Sequence, residues 1–567
     1  MERKETTVAI DFGTTNSLVC VYYKNKVECV CPGEYNEQGI NLIPSFVEYT
    51  KQGVVVGKAA KSNLGRSNHF VVAAVKRIIG LTYEEYEKLE NKNIFGCSVI
   101  RGSDGYPRFV VNGDGDTKTP IEVASEIFKV LKKRVDEITG RDKYNPEQEI
   151  SDSNKPGYSK AFVTVPANFR DHQCKAIIEA ARLANIQVEK LIPEPTAAAL
   201  SWCLNNMDSI HSGEKLLVYD FGGGTFDVSL LQYSGDGKFH IQNTGGNPYL
   251  GGNDIDFAII DYIIKKTKVL CEDEQIIENL SKLKEKKNKL NKLKSEVEKR
   301  KCLLTNKCTF YQDEKEFYDK NESESLDISL DCIDKKLEKD FLLTPKVLNN
   351  AISEKINDTI SISLKVLESE NLRSGNIRHI ICVGGSSRLH LVKQKLMQVF
   401  TSASFIETNP DEAVVRGAME LVLLNSDDDI NRIIKQKVVV SYGLQTGDNR
   451  VALILKKGAY IPALSNDVTF TPLNDYEKEI YSVIYQWVGE PNTITDIVNG
   501  VSMVPVSECI RIDTLSFENM YPKTKDKQHF VIRFYIDFGG TLEVICKDND
   551  ENVILSQKSF GAVYDGH

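Results

Sequence analysis

The sequence has no GxxxxGK[ST] loop, which excludes the P-loop class of nucleotide-binding enzymes. It also has no CxxC pair, and its 13 cysteines are an odd number, so their spacing indicates neither a zinc site nor a disulfide framework. The tightest pair, Cys29 and Cys31, has no histidine beside it. We therefore expect these cysteines to behave as small apolar side chains in a reducing compartment.

Basic charge is also scarce, because the formal net charge is −9. This balance gives no basic footprint, so direct nucleic-acid binding is not expected. No uninterrupted apolar run is long enough to span a bilayer, and the residues that precede Val8 do not form the apolar core of a secretory signal. These absences predict a cytosolic protein without a membrane contact.

The length of 567 residues predicts three or four domains, because single cores stop growing at roughly 250–300 residues. Strand–turn units alternate with helical segments up to residue 424, which predicts an α/β region. Residues 425–437 begin with a polar break and are expected to form a linker. Short strand-like runs separated by turn residues predict an all-β module at 438–567.

Helical spacing of apolar residues predicts helices near the end of 59–80 and at 121–138, 171–184 and 344–371, whereas polar composition predicts loops at 142–160 and 312–325.

The segment 272–304 is highly charged and helical in pattern, with an apolar residue at every seventh position: Ile276, Leu283, Leu290, Val297 and Leu304. A coiled-coil partner helix is one interpretation. Lysine at the companion positions Lys287 and Lys294 weakens such a seam, so an ordinary helical hairpin is favoured.

Two segments about 209 residues apart are near-copies: residues 8–17 read VAIDFGTTNS and residues 218–227 read VYDFGGGTFD. Each is a short apolar strand followed by an aspartate and a turn of small residues. A carboxylate at such a turn can hold Mg²⁺ through water, and small residues let backbone N–H groups approach phosphate oxygens. The pair therefore predicts a clamp for a phosphate chain.

Five motifs occur in order along the chain: DFGTTNS at 11–17, PEPTAAA at 193–199, DFGGGTFDVS at 220–229, VGGSSR at 383–388 and NPDEAV at 409–414. In sequence and spacing they resemble the DnaK-type heat-shock chaperones of about seventy kilodaltons, strongly up to about residue 420 and weakly beyond. The resemblance implies a two-lobed, actin-like and ribonuclease-H-like ATPase domain at 1–424. A linker at 425–437 and a small β-sandwich domain of the peptide-binding type at 438–567 follow, without a helical lid.

The resemblance also implies ATP or ADP and Mg²⁺ as ligands. It assigns the magnesium carboxylates to Asp11 and Asp220. It assigns the nucleotide-binding positions to Gly13, Thr14, Thr15, Asn16, Gly222, Gly223, Gly224, Thr225, Glu298, Lys301, Thr305, Gly384, Gly385, Ser386, Arg388 and Asp411. Among these, Glu298, Lys301 and Thr305 would contact adenosine from the other lobe.

By the same resemblance, the catalytic set is Lys76, Glu194, Asp227 and Thr225 together with Asp11 and Asp220. An ammonium at Lys76 would stabilise charge on the transferring phosphoryl group, and Glu194 and Asp227 would lie near the attacking water. The alternatives are a solvated surface lysine at position 76 and a carboxylate at a helix N-terminus at position 194.

Three departures from the family pattern bear on adenine binding or on the coupling between the nucleotide-binding and peptide-binding domains. Cys302 stands where the family has an arginine that stacks on adenine, and loss of that stack would weaken binding by roughly 1 kcal/mol. Cys174 stands where an arginine follows Pro166 in the family's interdomain relay, and a thiol cannot replace a guanidinium. The stretch 430–437 is basic, whereas the family linker is acidic and leucine-rich.

The implied function is an ATP-dependent chaperone that hydrolyses ATP, weakly if the departures matter, and assists unfolded or nascent polypeptides. Its implied partners are a J-domain co-chaperone, a nucleotide-exchange factor and, as in atypical lidless members of the family, the ribosome. The alternative is a non-cycling, nucleotide-bound scaffold that acts with a J-domain partner. A sugar kinase or an actin-like filament protein on the same duplicated fold is disfavoured, because both lack the β module.

Overall fold

The computed structural model describes residues 7–23, 26–30, 41–89, 91–139, 160–166, 169–203, 210–235, 239–337, 339–406, 408–423, 434–435, 438, 440–460, 463–477, 479–487, 489, 493–517, 523–536, 542–548 and 554–560. The chain divides into two compact units. The larger comprises Met1–Asn168, Ala176–Gly237 and Asn243–Ser426, and the smaller comprises Phe169–Lys175, Lys238–Gln242 and Asp427–His567.

The first half of the larger unit is built on a sheet with the strand order β12-β11-β1-β2-β3. Apolar residues fill its central strand β1, and β1 pairs in parallel with β11 and antiparallel with β2. The elements are β1 (Thr7–Asp11), β2 (Asn16–Tyr23), β3 (Lys26–Val30), β4 (Ile43–Pro44), β5 (Val47–Thr50), β6 (Gly53–Val56), α1 (Lys58–Ser62), β7 (Val71–Val72), α2 (Tyr83–Glu87), β8 (Val99–Arg101), β9 (Pro107–Val110), β10 (Thr117–Lys118), α3 (Pro120–Thr139), β11 (Lys160–Val165), α4 (Asp171–Leu183), β12 (Val188–Pro193) and α5 (Glu194–Cys203).

The second half repeats this topology, with the strand order β19-β18-β13-β14-β15. Here β13 pairs in parallel with β18 and antiparallel with β14, as β1 does with β11 and β2. The elements are β13 (Lys215–Phe221), β14 (Phe226–Tyr233), β15 (Phe239–Asn247), α6 (Gly252–Leu270), α7 (Glu274–Ser281), α8 (Lys287–Lys307), α9 (Glu314–Lys320), β16 (Leu326–Ile328), β17 (Phe341–Leu343), α10 (Pro345–Glu368), β18 (His379–Val383), α11 (His390–Val399), β19 (Ser404–Ile406) and α12 (Ala413–Leu423), after which β20 (Ile434–Lys435) follows in the chain.

The smaller unit contains two antiparallel sheets, with the strand orders β26-β27-β22-β21-β25-β28 and β23-β29-β30-β31. Buried and half-exposed residues alternate along β29 and β30, which is the pattern of strands with one face on a core. Its strands are β21 (Ser441–Gln445), β22 (Arg450–Leu455), β23 (Ala463–Leu464), β24 (Val468–Phe470), β25 (Ile480–Trp487), β26 (Asp496–Val498), β27 (Val501–Pro505), β28 (Cys509–Phe517), β29 (Phe530–Ile536), β30 (Leu542–Asp548) and β31 (Ile554–Phe560). The predicted α/β fold with a following β-rich domain is confirmed.

Several local predictions are also confirmed. Helices α3, α4 and α10 lie where helical spacing placed them. The segment 272–304 forms α7, a short 3-10 turn at Leu283–Glu285 and α8. All five heptad residues are buried inside the larger unit, so the stripe needs no separate partner helix. The predicted loop at 142–160 lies outside the described residues except for its last residue, Lys160.

Three local predictions are wrong. The end of 59–80 is not a helix, because Val71–Val72 pairs with β5 and Val75–Arg77 forms a 3-10 turn. The acidic segment predicted as a loop contains α9, whose first turn is capped by Asp313. Cys20 and Cys29 face each other across β2 and β3 and form a disulfide, which contradicts the expected free thiols. Cys31 lies outside the described residues.

Candidate functional site

The first turn predicted to bind phosphate, residues 12–15, follows β1 and is called the first phosphate turn. Asp11 lies at its start, and Thr164 Oγ1, in the register position opposite it on β11, donates to Asp11 Oδ1 at 2.9 Å. Ser45 fixes the turn from the other side, because its Oγ donates to Gly13 O at 2.8 Å and its N–H donates to Thr15 O at 2.8 Å. The turn is therefore held in shape by hydrogen bonds before any ligand binds.

The second turn predicted to bind phosphate, residues 222–225, connects β13 with β14 and is called the second phosphate turn. Asp220 and Asp227 lie directly opposite each other in this antiparallel pair, and Gly222 N–H donates to Thr225 O at 3.0 Å to close the turn. Both aspartates are buried. This arrangement places two carboxylates at the base of a tight loop of small residues.

The two turns meet. A methyl group at Gly223 would lie 2.7 Å from Thr15 Cβ, and one at Gly224 would lie 2.5 Å from Thr14 Cβ. Such distances are shorter than van der Waals contact, so only glycine lets the turns approach this closely. The predicted clamp is thus assembled as two facing loops.

Lys76 lies in the 3-10 turn Val75–Arg77, and Glu194 is the first residue of α5. Lys76 Nζ lies 2.6 Å from Glu194 Oε1, and only 4% and 9% of the two side chains are exposed. Ala74, just before the turn, has a φ of 53°, a left-handed conformation that turns the chain inward. The alternative of a solvated lysine at position 76 is therefore excluded.

Buried carboxylates outnumber cations here. Burial, together with the charge of Glu194, raises the pKa of Asp11 to about 6 and that of Asp227 to about 7. Burial and the charges of Glu194 and Asp227 raise the pKa of Asp220 well above its usual range. Burial opposes the charged form of Lys76, but the charges of Glu194 and Asp11 outweigh it and raise the pKa of this lysine.

This excess of negative charge fits a divalent cation. The Thr225 side chain acts on the Asp227 carboxylate and lowers its pKa, but neither oxygen has a partner of good hydrogen-bond geometry among the described residues, and a buried carboxylate so poorly satisfied is costly unless a cation or water satisfies it. In the described part of the chain, no group of three His, Cys, Asp or Glu side chains is arranged to hold a metal directly. Mg²⁺ prefers oxygen ligands and usually keeps several of its waters. These carboxylates therefore fit a Mg²⁺ ion that is held through water.

The predicted nucleoside face lies after β18. Gly384 has a φ of 78°, and a methyl group there would lie 2.5 Å from Phe221 O. Ser386 Oγ donates to Gly222 O at 2.8 Å, and Arg388 Nη2 lies 2.6 Å from Asp411 Oδ2. These contacts bring the 384–388 turn directly against the second phosphate turn.

The turn at 384–388 is one wall of the predicted nucleoside site, and α8 is the other wall. Glu298 Oε1 lies 2.8 Å from Lys61 Nζ, and Lys301 Nζ lies 2.6 Å from Asp256 Oδ1. Lys301 Nζ also donates to Gly252 O at 3.3 Å, while a methyl group at Gly252 would lie 2.7 Å from Ser386 Oγ. Gly252 thus touches both walls.

Thr305 donates its hydroxyl to Lys301 O at 2.9 Å. The described side-chain contacts of Glu298 and Thr305 are therefore with neighbouring protein groups, whereas Lys301 and Ser386 both reach Gly252, where the walls meet. Asn16 begins β2 and pairs with Pro44, beside the first phosphate turn.

Several contributors were missed from sequence. Ser45 and Thr164 hold the first turn but belong to none of the five motifs. Arg77, next to Lys76, forms a buried ion pair with Asp254 at the start of α6. A Pro-Ser pair before a strand and a threonine within one carry no chemical signal by themselves, so only their contacts reveal them.

Two departures fall on described residues. Cys302 is exposed on α8, next to Lys301, and Cys174 is partly buried on α4. Most of the predicted linker lies outside the described residues.

Comparisons with known proteins agree with this geometry. The family model described as Hsp70 protein matches residues 7–554. The chain is also 28% identical to the chaperone protein DnaK of Psychrobacter cryohalolentis over 486 residues, which is 84% of this chain and 68% of that relative. Because the family model spans nearly the whole sequence, this chain belongs to the Hsp70 protein family.

Proposed function

We propose that this protein is an ATP-dependent molecular chaperone that binds and hydrolyses ATP to assist unfolded or nascent polypeptides. One observation carries the proposal: Lys76 and Glu194 form a buried ion pair among three further carboxylates, where two phosphate turns meet. A buried charge cluster of this kind costs stability, so its presence at a cleft supports a catalytic use.

The roles follow from position. Lys76 supplies positive charge to the transferring phosphoryl group, Glu194 and Asp227 orient the attacking water, and Thr225 belongs to the second phosphate turn. Asp11 and Asp220 would hold Mg²⁺ through water. When bound, that ion supplies charge neutralisation on the phosphate oxygens.

We assign residues 1–424 to the nucleotide-binding domain, 425–437 to the interdomain linker and 438–567 to the peptide-binding domain. Exposed apolar residues in the smaller unit support the last assignment. Leu473 is 69% exposed and packs over Gly447, where a methyl group would lie 3.3 Å from its Cδ1, while Tyr476 and Tyr481 are each 63% exposed. Apolar side chains exposed to solvent are the groups that an unfolded chain would contact.

The expected partners are unfolded or nascent polypeptide, a J-domain co-chaperone and a nucleotide-exchange factor, with the cytosol as the location and the ribosome as a further partner. Within the described residues, none of the helices combines the length and the apolar character needed to cross a membrane.

Single-turnover ATP hydrolysis tests the proposal. The native chain should hydrolyse ATP, and Lys76→Ala should reduce the rate at least tenfold, with and without a J-domain protein. Lys129→Ala is the matched control, because Lys129 is an exposed lysine on α3 that forms an ion pair with Glu126. Equal rates for the native chain and Lys76→Ala would contradict catalysis and favour the nucleotide-bound scaffold.

Peptide release tests coupling between the two functions. A labelled unfolded peptide should dissociate faster when ATP is bound than when ADP is bound. Equal dissociation rates would show that Cys174 and the basic linker have uncoupled nucleotide binding from peptide binding.

A further inference from the structure

α11 begins at His390, two residues after Arg388. His390 Nε2 lies 2.9 Å from Thr305 O, near the end of α8. Thr305 in turn donates its hydroxyl to Lys301 O at 2.9 Å. One hydrogen bond from His390 therefore joins the two segments that carry the predicted nucleoside contacts, although they are about 80 residues apart in sequence.

The imidazole of His390 is held between two aromatic rings. The Phe310 ring lies 6.0 Å away and nearly parallel, and the Phe317 ring lies 5.3 Å away. Burial lowers the pKa of His390 and outweighs its backbone hydrogen bonds with Thr305 and Cys308, which act in the opposite direction, so the neutral ring is favoured at neutral pH. Its proton lies on Nε2, because the Thr305 carbonyl can only accept.

A second contact attaches α11 to the same segment. Gln394 Nε2 donates to Tyr311 O at 2.9 Å, one helical turn further along α11. Loss of the His390 hydrogen bond would therefore leave α11 docked. Its effect would be confined to the start of α11 and the end of α8.

The two walls are already fixed at one point. Gly252 O accepts from Lys301, and Gly252 leaves room for Ser386 on its other side. His390 provides a second tie, further from the phosphate turns. Because Gln394 keeps α11 docked one turn further on, the His390 hydrogen bond sets the local position of the start of α11, which follows the turn Gly385–Arg388.

We propose that His390 is a positioning residue that sets the spacing between α8 and the turn Gly385–Arg388, and thereby the affinity for the base and ribose of the nucleotide. The proposal rests on the nucleotide-binding function proposed above. Binding of the phosphate chain should depend on this spacing less strongly than binding of the base and ribose, because the second phosphate turn is closed by its own hydrogen bond between Gly222 and Thr225, although Ser386 contacts it. A rigid binding site gains affinity because less ordering is required when the ligand enters.

The test uses His390→Phe in the full-length chain. Phenylalanine keeps the stacking with Phe310 and Phe317 and removes the hydrogen bonds of the ring with the Thr305 and Cys308 backbone. Calorimetry should show ATP binding weakened at least fivefold, while binding of inorganic tripolyphosphate changes less than twofold. His390→Gln, which restores an N–H donor, should bind ATP within twofold of the native chain.

His379→Phe is the matched control. His379 lies on β18 in the same unit, and its Nε2 lies 3.1 Å from Glu214, away from the two walls. It should bind ATP within twofold of the native chain. An unchanged ATP affinity in His390→Phe, or equal losses for ATP and tripolyphosphate, would overturn the inference alone. A native chain that binds neither ligand would overturn the proposed function as well.

Discussion

At the phosphate end of the cleft, the ion pair between Lys76 and Glu194 is almost completely buried, whereas at the nucleoside end 46% and 25% of the Arg388 and Asp411 side chains are exposed. The charges of a buried pair interact strongly, and removal of one of them leaves the other buried without a partner. The charges of an exposed pair are screened by water and salt. Removal of one charge should therefore be far more costly at the predicted phosphate end than at the predicted nucleoside end.

The largest effect is expected from Lys76→Met. This change leaves Glu194 without a cation among other buried carboxylates, so the larger unit should lose about 3–5 kcal/mol of unfolding free energy. The chain has two tryptophans, Trp202 in the larger unit and Trp487 in the smaller. Urea unfolding followed by Trp202 fluorescence in a Trp487→Phe background measures the loss.

The double variant Lys76→Met with Glu194→Gln is the control for that experiment. Because it removes both charges, it should recover most of the lost stability. If the single and double variants are equally stable, the buried pair does not carry the stability attributed to it.

Gly224→Ala tests the meeting of the two turns. The added methyl group would clash with Thr14 and push the turns apart, so ATP affinity measured by calorimetry should fall at least a hundredfold. Gly375→Ala is the control, because a methyl group there meets no atom within 4 Å. Normal binding by Gly224→Ala would mean that phosphate does not lie between these turns.

The pH dependence of Asp227→Asn is the next largest effect. Burial raises the pKa of Asp227 to about 7, so the folded protein retains a proton that the unfolded chain releases near pH 4. The native chain therefore loses stability as pH rises from about 4 to 7. Without metal or nucleotide, the variant should gain roughly 1–3 kcal/mol relative to the native chain between pH 5 and pH 8.

The same urea measurement applies, with exposed Asp114→Asn as the control. Parallel stability curves for the native chain and Asp227→Asn would contradict a protonated carboxyl at position 227.

Ser45→Ala tests how much the hydroxyl that fixes the first phosphate turn contributes to ATP affinity. It removes a part-buried hydrogen bond to Gly13 O and a buried one with Ser17 Oγ, and at about 1 kcal/mol each their loss should weaken ATP binding at least roughly fivefold. Ser62→Ala removes a comparable bond to a backbone carbonyl on the exposed helix α1 and should leave affinity unchanged. Equal affinities for both variants would remove Ser45 from the site.

The smallest effect is expected from Arg388→Met. Because its pair with Asp411 is exposed, the variant should lose less than about 1 kcal/mol of stability, and the loss should shrink further in high salt. The Trp202 fluorescence assay measures it. A loss as large as that of Lys76→Met would erase the contrast between the two ends of the cleft.

Much of the phosphate end could be predicted from local sequence. An apolar run followed by aspartate and small residues marks Asp11 and Asp220, because strand formation, the tight turn and the carboxylate are all encoded within about ten residues. The near-copy at 218–227 likewise predicts the repeated topology of the two halves.

Some predictions from local sequence are wrong because contacts between residues far apart in the chain, or a stronger local signal, override the local pattern. The spacing of Val71, Val72 and Val75 fits a helix, yet pairing with β5 makes the first two a strand. The composition of 312–325 indicates a loop, yet Asp313, three residues before Glu316, caps a helix there, so this local helix-start signal outweighs the composition. Cys20 and Cys29 could not be paired without the register of β2 and β3.

Local sequence is enough to predict the repeated strand–turn units and the residues that we propose bind phosphate, because each unit is short and its turn needs small residues wherever it lies. Only the tertiary structure decided that Lys76 meets Glu194, that Ser45 and Thr164 hold the first turn, and that His390 reaches Thr305. These contacts join residues far apart in the chain, and which of them form depends on how the sheets and helices pack, which no local pattern encodes.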